Sequence, residues 1–173
     1  MERKSFETIL KKLIEHEIRF IVVGGLAVAL HGYDRSTGDI DILLALDGEN
    51  LKKMDLAMKE MDYYPRIPVE LHELSDRIKI ERYKREKNMQ AYTLTSSGQP
   101  PIQIDIIIEE SWDFDSFDQR KTFFDQEELS LPVIALDDLL LMKKKTGREK
   151  DIIDYSALIH ARDLENNPDH PSS

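Results

Sequence analysis

Residues 20–30 read Phe-Ile-Val-Val-Gly-Gly-Leu-Ala-Val-Ala-Leu. β-Branched and aromatic side chains suit a pleated strand, whereas a run rich in Ala and Leu suits a helix. The chain must therefore pass from strand to helix within the pair Gly24-Gly25, so α and β structure are mixed from the first strand onward. A glycine pair at a strand end that opens a helix leaves free amides and a helix dipole, which can hold a phosphate at close range. The run is far shorter than the roughly 20 residues that cross a bilayer, and the glycines interrupt it.

Residues 39–44, Asp-Ile-Asp-Ile-Leu-Leu, alternate before becoming wholly apolar and predict a second strand. Side chains two apart in a strand leave the same face. Asp39 and Asp41 thus stand side by side while Ile40 and Ile42 face the other way. Two like charges so close repel and raise one pKa unless a cation lies between them, and hard divalent ions favour carboxylate oxygens. The pair is a natural metal cradle; two acids on the wet face of an edge strand would show the same pattern. Residues 102–108, Ile-Gln-Ile-Asp-Ile-Ile-Ile, set Asp105 alone in a run apolar enough for a central strand. An unpaired carboxylate is costly to bury, so Asp105 needs a partner. It is either a paired structural acid or the third carboxylate of a site whose two ions, about 3.5–4 Å apart, stabilise a phosphoryl displacement. Neither a P-loop nor a dinucleotide-binding glycine fingerprint is present.

The remaining elements follow from spacing. Phe6, Ile9, Leu10, Leu13 and Ile14 predict a first helix over 5–17 with Ser5 as N-cap. A helix is expected over 49–61 after the turn Asp47-Gly48, and 63–68, with two prolines, breaks it. Residues 71–87 read as a very polar helix, 91–94 and 102–108 as a hairpin across the turn 96–101, and 132–134 as a last extended piece. Asp137 is expected to cap a helix that Gly147 ends, and a final helix runs from about Glu149 to Arg162. Residues 1–162 are read as one domain and 163–173 as a disordered tail.

Composition narrows the function classes. The 173 residues carry 24 Lys and Arg against 34 Asp and Glu, a net charge of −10, and no cysteine. A disulfide framework, zinc ribbon, iron–sulfur cluster or thiol nucleophile is excluded. A bulk charge of −10 disfavours a protein that coats nucleic acid, because such binding depends on neutralising phosphates. Nine acids against two bases between residues 105 and 128 hold much of that charge. The charged start lacks the apolar core of a signal peptide, so a cytoplasmic protein without a membrane anchor is expected. The five His show no metal-ligand spacing. The basic runs 77–87 and 143–150 read as solvated helix surface, or as a polynucleotide-binding rim if both flank a cleft. Tyr63, Tyr64, Trp112, Phe114 and Phe117 read as core or loop anchors.

The order Val22-Val23-Gly24-Gly25, Asp39-Ile40-Asp41, Ile104-Asp105-Ile106 resembles the DNA polymerase β-like nucleotidyltransferase superfamily. The stretch Arg35-Ser36-Thr37-Gly38-Asp39-Ile40-Asp41 is similar to the Arg-x-Thr-x-Asp-x-Asp signature of small prokaryotic nucleotidyltransferases related to the AbiEii abortive-infection toxins. Lys143 and the segment Gly147-Arg148-Glu149-Lys150-Asp151-Ile152-Ile153-Asp154 resemble that group's C-terminal motif. The resemblance implies an α/β (α+β) nucleotidyltransferase fold: a mixed, mostly antiparallel sheet, helices mainly on one side, and two C-terminal helices closing a nucleotide cleft. It implies Mg²⁺- or Mn²⁺-dependent transfer of a nucleoside monophosphate from a nucleoside triphosphate such as ATP to an acceptor, RNA (tRNA) or protein, in a toxin–antitoxin or phage-defence pair. Asp39, Asp41 and Asp105 would be the catalytic metal ligands, with Asp105 helping to remove the acceptor's proton. Gly24, Gly25, Arg35, Thr37, Lys143, Arg148 and Lys150 would bind nucleotide, Lys143 reaching the triphosphate as a point charge. Many superfamily members have Gly-Ser where this chain has Gly24-Gly25, so a hydroxyl that could bind phosphate is missing. A cognate antitoxin is an implied partner. An antibiotic (aminoglycoside or lincosamide) nucleotidylyltransferase, or a non-catalytic nucleotide- or protein-binding partner on the same fold, are the competing readings.

Overall fold

A computed structural model of the chain describes residues 5–98, 101–109, 112–126 and 129–166. Helix α1 (Phe6–Glu15) starts where the Ser5 hydroxyl accepts the Thr8 amide at 3.1 Å, satisfying one of the free N–H groups of the first turn. Strand β1 (Phe20–Val23) runs directly into α2 (Gly24–Leu30), with Gly24 at φ +62°, a backbone region that glycine occupies without strain. Next come β2 (Asp39–Leu44), α3 (Gly48–Glu60, capped by Asp47), β3 (Tyr63–Pro65), a 3₁₀ turn (Leu71–Ser75) and α4 (Arg77–Lys87). Strands β4 (Ala91–Ser96) and β5 (Gln103–Ile107) precede α5 (Phe114–Arg120), β6 (Thr122–Gln126), β7 (Leu129–Val133), α6 (Leu136–Thr146) and α7 (Glu149–Asn166).

The seven strands form one mixed sheet in the order β3-β4-β5-β2-β1-β7-β6. Pairings β1–β2, β3–β4, β4–β5 and β6–β7 are antiparallel; β2–β5 and β1–β7 are parallel. Burial alternates along β4 and β5. One face, carrying Tyr92, Leu94, Ile104, Ile106, Ile40 and Ile42, is sealed in the core. The Tyr92 hydroxyl donates to the Val69 carbonyl at 2.8 Å, so the segment before the 3₁₀ turn lies over that face, and α3 packs in turn on the 3₁₀ turn and α1. The opposite face stays half-open around Thr93, Asp105 and Asp41. Among the described strands only β1, in the interior of the sheet, is buried throughout.

Local differences from the expected elements have physical causes. The single helix expected over 71–87 is divided at Asp76, whose carboxylate caps α4 by accepting the Ile78 and Lys79 amides. Ala135, not Asp137, is the N-cap of α6. Asp137 and Asp138 fall in its first turn, where the helix dipole favours acids, and Asp138 takes a two-pronged bond from Arg120 at 2.9 and 3.0 Å. Strand β3 forms within the expected break, because a proline is tolerated on an edge strand. Helix α7 continues to Asn166, a turn past the expected end; the tail beyond it and part of the turn 96–101 lie outside the described residues. Among the described residues no helix is long and apolar enough to cross a membrane.

Candidate active site

Sheet register, rather than sequence proximity, assembles the centre of the site. Parallel pairing of β2 with β5 sets Asp41 opposite Asp105. Antiparallel pairing of β4 with β5 sets Thr93 opposite Asp105, and that of β1 with β2 sets Val23 opposite Asp41. The row Thr93, Asp105, Asp41, Val23 therefore crosses four strands. Asp39 lies two residues back along β2 at its exposed start, opposite Gln103. Asp41 is half-buried, and burial, followed by the negative charge of Asp105, pushes its carboxyl up to about 6. A hydrogen bond from the Gly25 backbone and the charge of Lys143 pull the other way. Asp105 accepts a 2.6 Å hydrogen bond from the Thr93 hydroxyl.

The glycine pair is explained by what surrounds it. A Cβ on Gly24 would sit inside the Asp41 carboxylate, and its positive φ strains any other residue. A Cβ on Gly25 would come within 2.9 Å of the Thr37 hydroxyl and 3.0 Å of an Arg35 guanidinium nitrogen. The loop that carries Arg35 and Thr37 is thus pressed against the start of α2, and Thr37 donates to the Asp39 carbonyl at 3.2 Å. The Gly25 amide is engaged by Asp41, so this glycine serves the carboxylate row directly.

The C-terminal motif folds into a buried ionic network. Lys143 Nζ lies 2.7 Å from Asp151 Oδ1 and 2.8 Å from Asp154 Oδ2. Arg35 Nη1 reaches Asp154 Oδ2 at 2.7 Å, tying the loop before β2 to α7. Arg148 Nε and the Thr146 hydroxyl donate to Asp151 Oδ2 at 2.6 and 2.8 Å. Burial alone would push the Asp151 carboxyl up, but the bonds from Lys143, Arg148 and Thr146 outweigh it and hold the group down at about 2. Lys143 is 6 % exposed, Asp151 0 % and Asp154 2 %. Three of the expected nucleotide-binding cations, Arg35, Lys143 and Arg148, are therefore engaged with Asp151 and Asp154, whereas Lys150 is exposed. Asp151 and Asp154 had no expected role although the motif contains them. Their i, i+3 spacing, continued by Leu158, marks the buried stripe of α7 and was the available signal. Thr93 was not singled out either; its place in the alternation of β4 could have revealed it.

Among the described residues no three acidic or imidazole side chains already converge as a ready ligand set. The donor chemistry still fits a hard divalent ion. Asp39, Asp41 and Asp105 offer only carboxylate oxygens on one sheet face, and the charge of Asp105 that lifts Asp41 is the repulsion a cation would reverse.

A family model described as nucleotidyl transferase AbiEii toxin, type IV toxin–antitoxin system, matches residues 8–168. No curated protein matches the chain significantly. Among solved structures, the lincomycin-bound lincosamide antibiotic adenylyltransferase LnuA is similar at 15% identity and TM-score 0.57, over 91% of this chain and 98% of its own. ANT(2″)-Ia in complex with adenylyl-2″-tobramycin is similar at 12% identity and TM-score 0.57, over 92% and 88%. A putative nucleotidyltransferase from Thermotoga maritima is similar at 17% identity and TM-score 0.54, over 89% of each chain. At these identities the structures share the nucleotidyltransferase fold.

Proposed function

The chain belongs to the AbiEii nucleotidyltransferase toxin family of type IV toxin–antitoxin systems, and from that premise we propose that the Asp41–Asp105 row is its reaction centre. The reaction is transfer of a nucleoside monophosphate from a nucleoside triphosphate to an RNA or protein acceptor. An acceptor oxygen bonds to the α-phosphorus, the bond from that phosphorus to the bridging oxygen breaks, and pyrophosphate leaves with the electron pair. Asp105 takes the acceptor's proton. Asp39, Asp41 and Asp105 would hold Mg²⁺ or Mn²⁺, which when bound neutralises charge on the phosphates and on both reacting oxygens. Gly24 and Gly25 let the backbone come close to the carboxylates, and Arg35 and Thr37 border that approach. Lys143 acts from within its ion pairs, lowering the Asp41 pKa and fixing α7 beside the site, while Lys150, exposed at the start of α7, is a cation that can meet an incoming phosphate group. A cognate antitoxin is the partner that the family implies.

The observation that carries this reading is the register that brings Asp105 beside Asp41 on the half-open face, with the Asp41 carboxylate against Gly24. Labelled nucleoside triphosphates, Mg²⁺ and a cell extract should yield labelled RNA or protein with the wild type and none with Asp41→Asn. Neither transfer nor Mg²⁺-dependent nucleotide binding with any of the four triphosphates would refute the proposal. Label found only on an antibiotic would reassign the acceptor.

A further inference from the structure

The mechanism requires Asp105 to present a fixed oxygen to the space beside Asp41, yet an aspartate side chain can rotate about both of its torsions. Two features of β4 restrict that rotation. Tyr92 and Leu94 are 0 % and 2 % exposed, so the strand is locked by its core-facing residues and Thr93 must face Asp105. Thr93 is β-branched, with few allowed χ1 settings, and its hydroxyl donates to Asp105 Oδ1 at 2.6 Å, at the short end of the range for O–H···O bonds. A carboxylate has about four acceptor positions, so this bond occupies one oxygen on the β4 side and leaves the others able to accept.

We propose that Thr93 is a positioning residue: its hydroxyl holds Asp105 in the orientation that the Asp41–Asp105 pair needs to bind a divalent ion. The inference rests on the proposed reaction centre and adds a residue from a strand that contributes no carboxylate. Partners that orient a metal ligand in this way typically alter affinity or activity about 10–100-fold when removed. Thr93→Val keeps the shape and strand preference of the residue while deleting the donor, and Thr93→Ser keeps the donor.

The test is titration of the full chain with Mn²⁺ alone, followed by electron paramagnetic resonance, beside kcat and KM for transfer. Thr93→Val should weaken Mn²⁺ binding about tenfold or more and lower kcat, with little change in KM for the triphosphate and the chain still cooperatively folded. Thr93→Ser should restore most of both losses. In an Asp105→Asn background, Thr93→Val should change Mn²⁺ affinity no further. Wild-type Mn²⁺ affinity in Thr93→Val, or failure of Thr93→Ser to rescue, overturns this inference and leaves the reaction centre standing. Absence of both Mn²⁺ binding and transfer in the wild type overturns both, whereas transfer without Mn²⁺ binding overturns this inference alone.

Discussion

Replacing Lys143 by methionine separates two roles that a single lysine in this motif could have. Met has a comparable volume and an apolar stem, so the substitution deletes charge without opening a large cavity. In the folded chain it leaves Asp151 and Asp154, both almost completely buried, without the cation they share. Breaking a buried pair by removing one partner costs about 3–5 kcal/mol. Arg148 still reaches Asp151 and Arg35 still reaches Asp154, so the lower end, about 3 kcal/mol, is expected. For a chain of 173 residues each kcal/mol corresponds to about 2–4 °C in Tm, which gives a fall of roughly 6–12 °C. Because Lys143 also pulls the Asp41 carboxyl down, its loss should drive that group further above about 6. Scanning calorimetry with urea unfolding measures the first effect, and carbon-detected titration of labelled aspartates the second. A Lys143→Met protein that melts within about 2 °C of wild type, yet has lost triphosphate affinity, would refute the argument. Lys143 would then be a phosphate ligand whose ion pairs contribute no stability.

Other consequences are equally specific. Gly24→Ala should cost about 1–2 kcal/mol from the positive φ alone, and by displacing the Asp41 carboxylate it should lower transfer about a hundredfold, read by urea unfolding and by kcat. Asp41 has a folded pKa of about 6, above its ordinary value of 3.8, so the folded state binds its proton more tightly. That contribution to stability is fully present below about pH 4 and is lost as pH rises through about 6. Asp41→Asn should therefore stabilise the metal-free protein more at about pH 8 than at about pH 4, and equal shifts at the two pH values in urea unfolding would contradict the assignment.

Elements with strong apolar periodicity are legible in the sequence itself. These are α1 with its Ser5 cap, β1 running into α2, the β4–β5 hairpin, and α6 ending at Gly147 in the left-handed region. Helix α5 and strand β6 escaped because they bury little. In α5 only Phe117 is buried over seven residues, and β6 is an edge strand whose residues are exposed or half-exposed, so neither carries a readable period. The basic run 143–150 is legible as charge, and the resemblance assigns Lys143, Arg148 and Lys150 to phosphate; only the fold shows that Lys143 and Arg148 are ion-paired with Asp151 and Asp154.

The division has a physical basis. Period-two geometry is local, so the sequence alone determined that Asp39 and Asp41 share a face and that the glycine pair turns a strand into a helix. Register between strands distant in sequence is set by which apolar faces seal the core, and that is settled only when the whole sheet forms. Tertiary structure alone therefore decided that Asp105 faces Asp41, that Thr93 bonds Asp105, and that Arg35 and Lys143 meet on Asp154. The sequence named the carboxylates; long-range packing chose their neighbours, and the neighbours determine their charge and orientation.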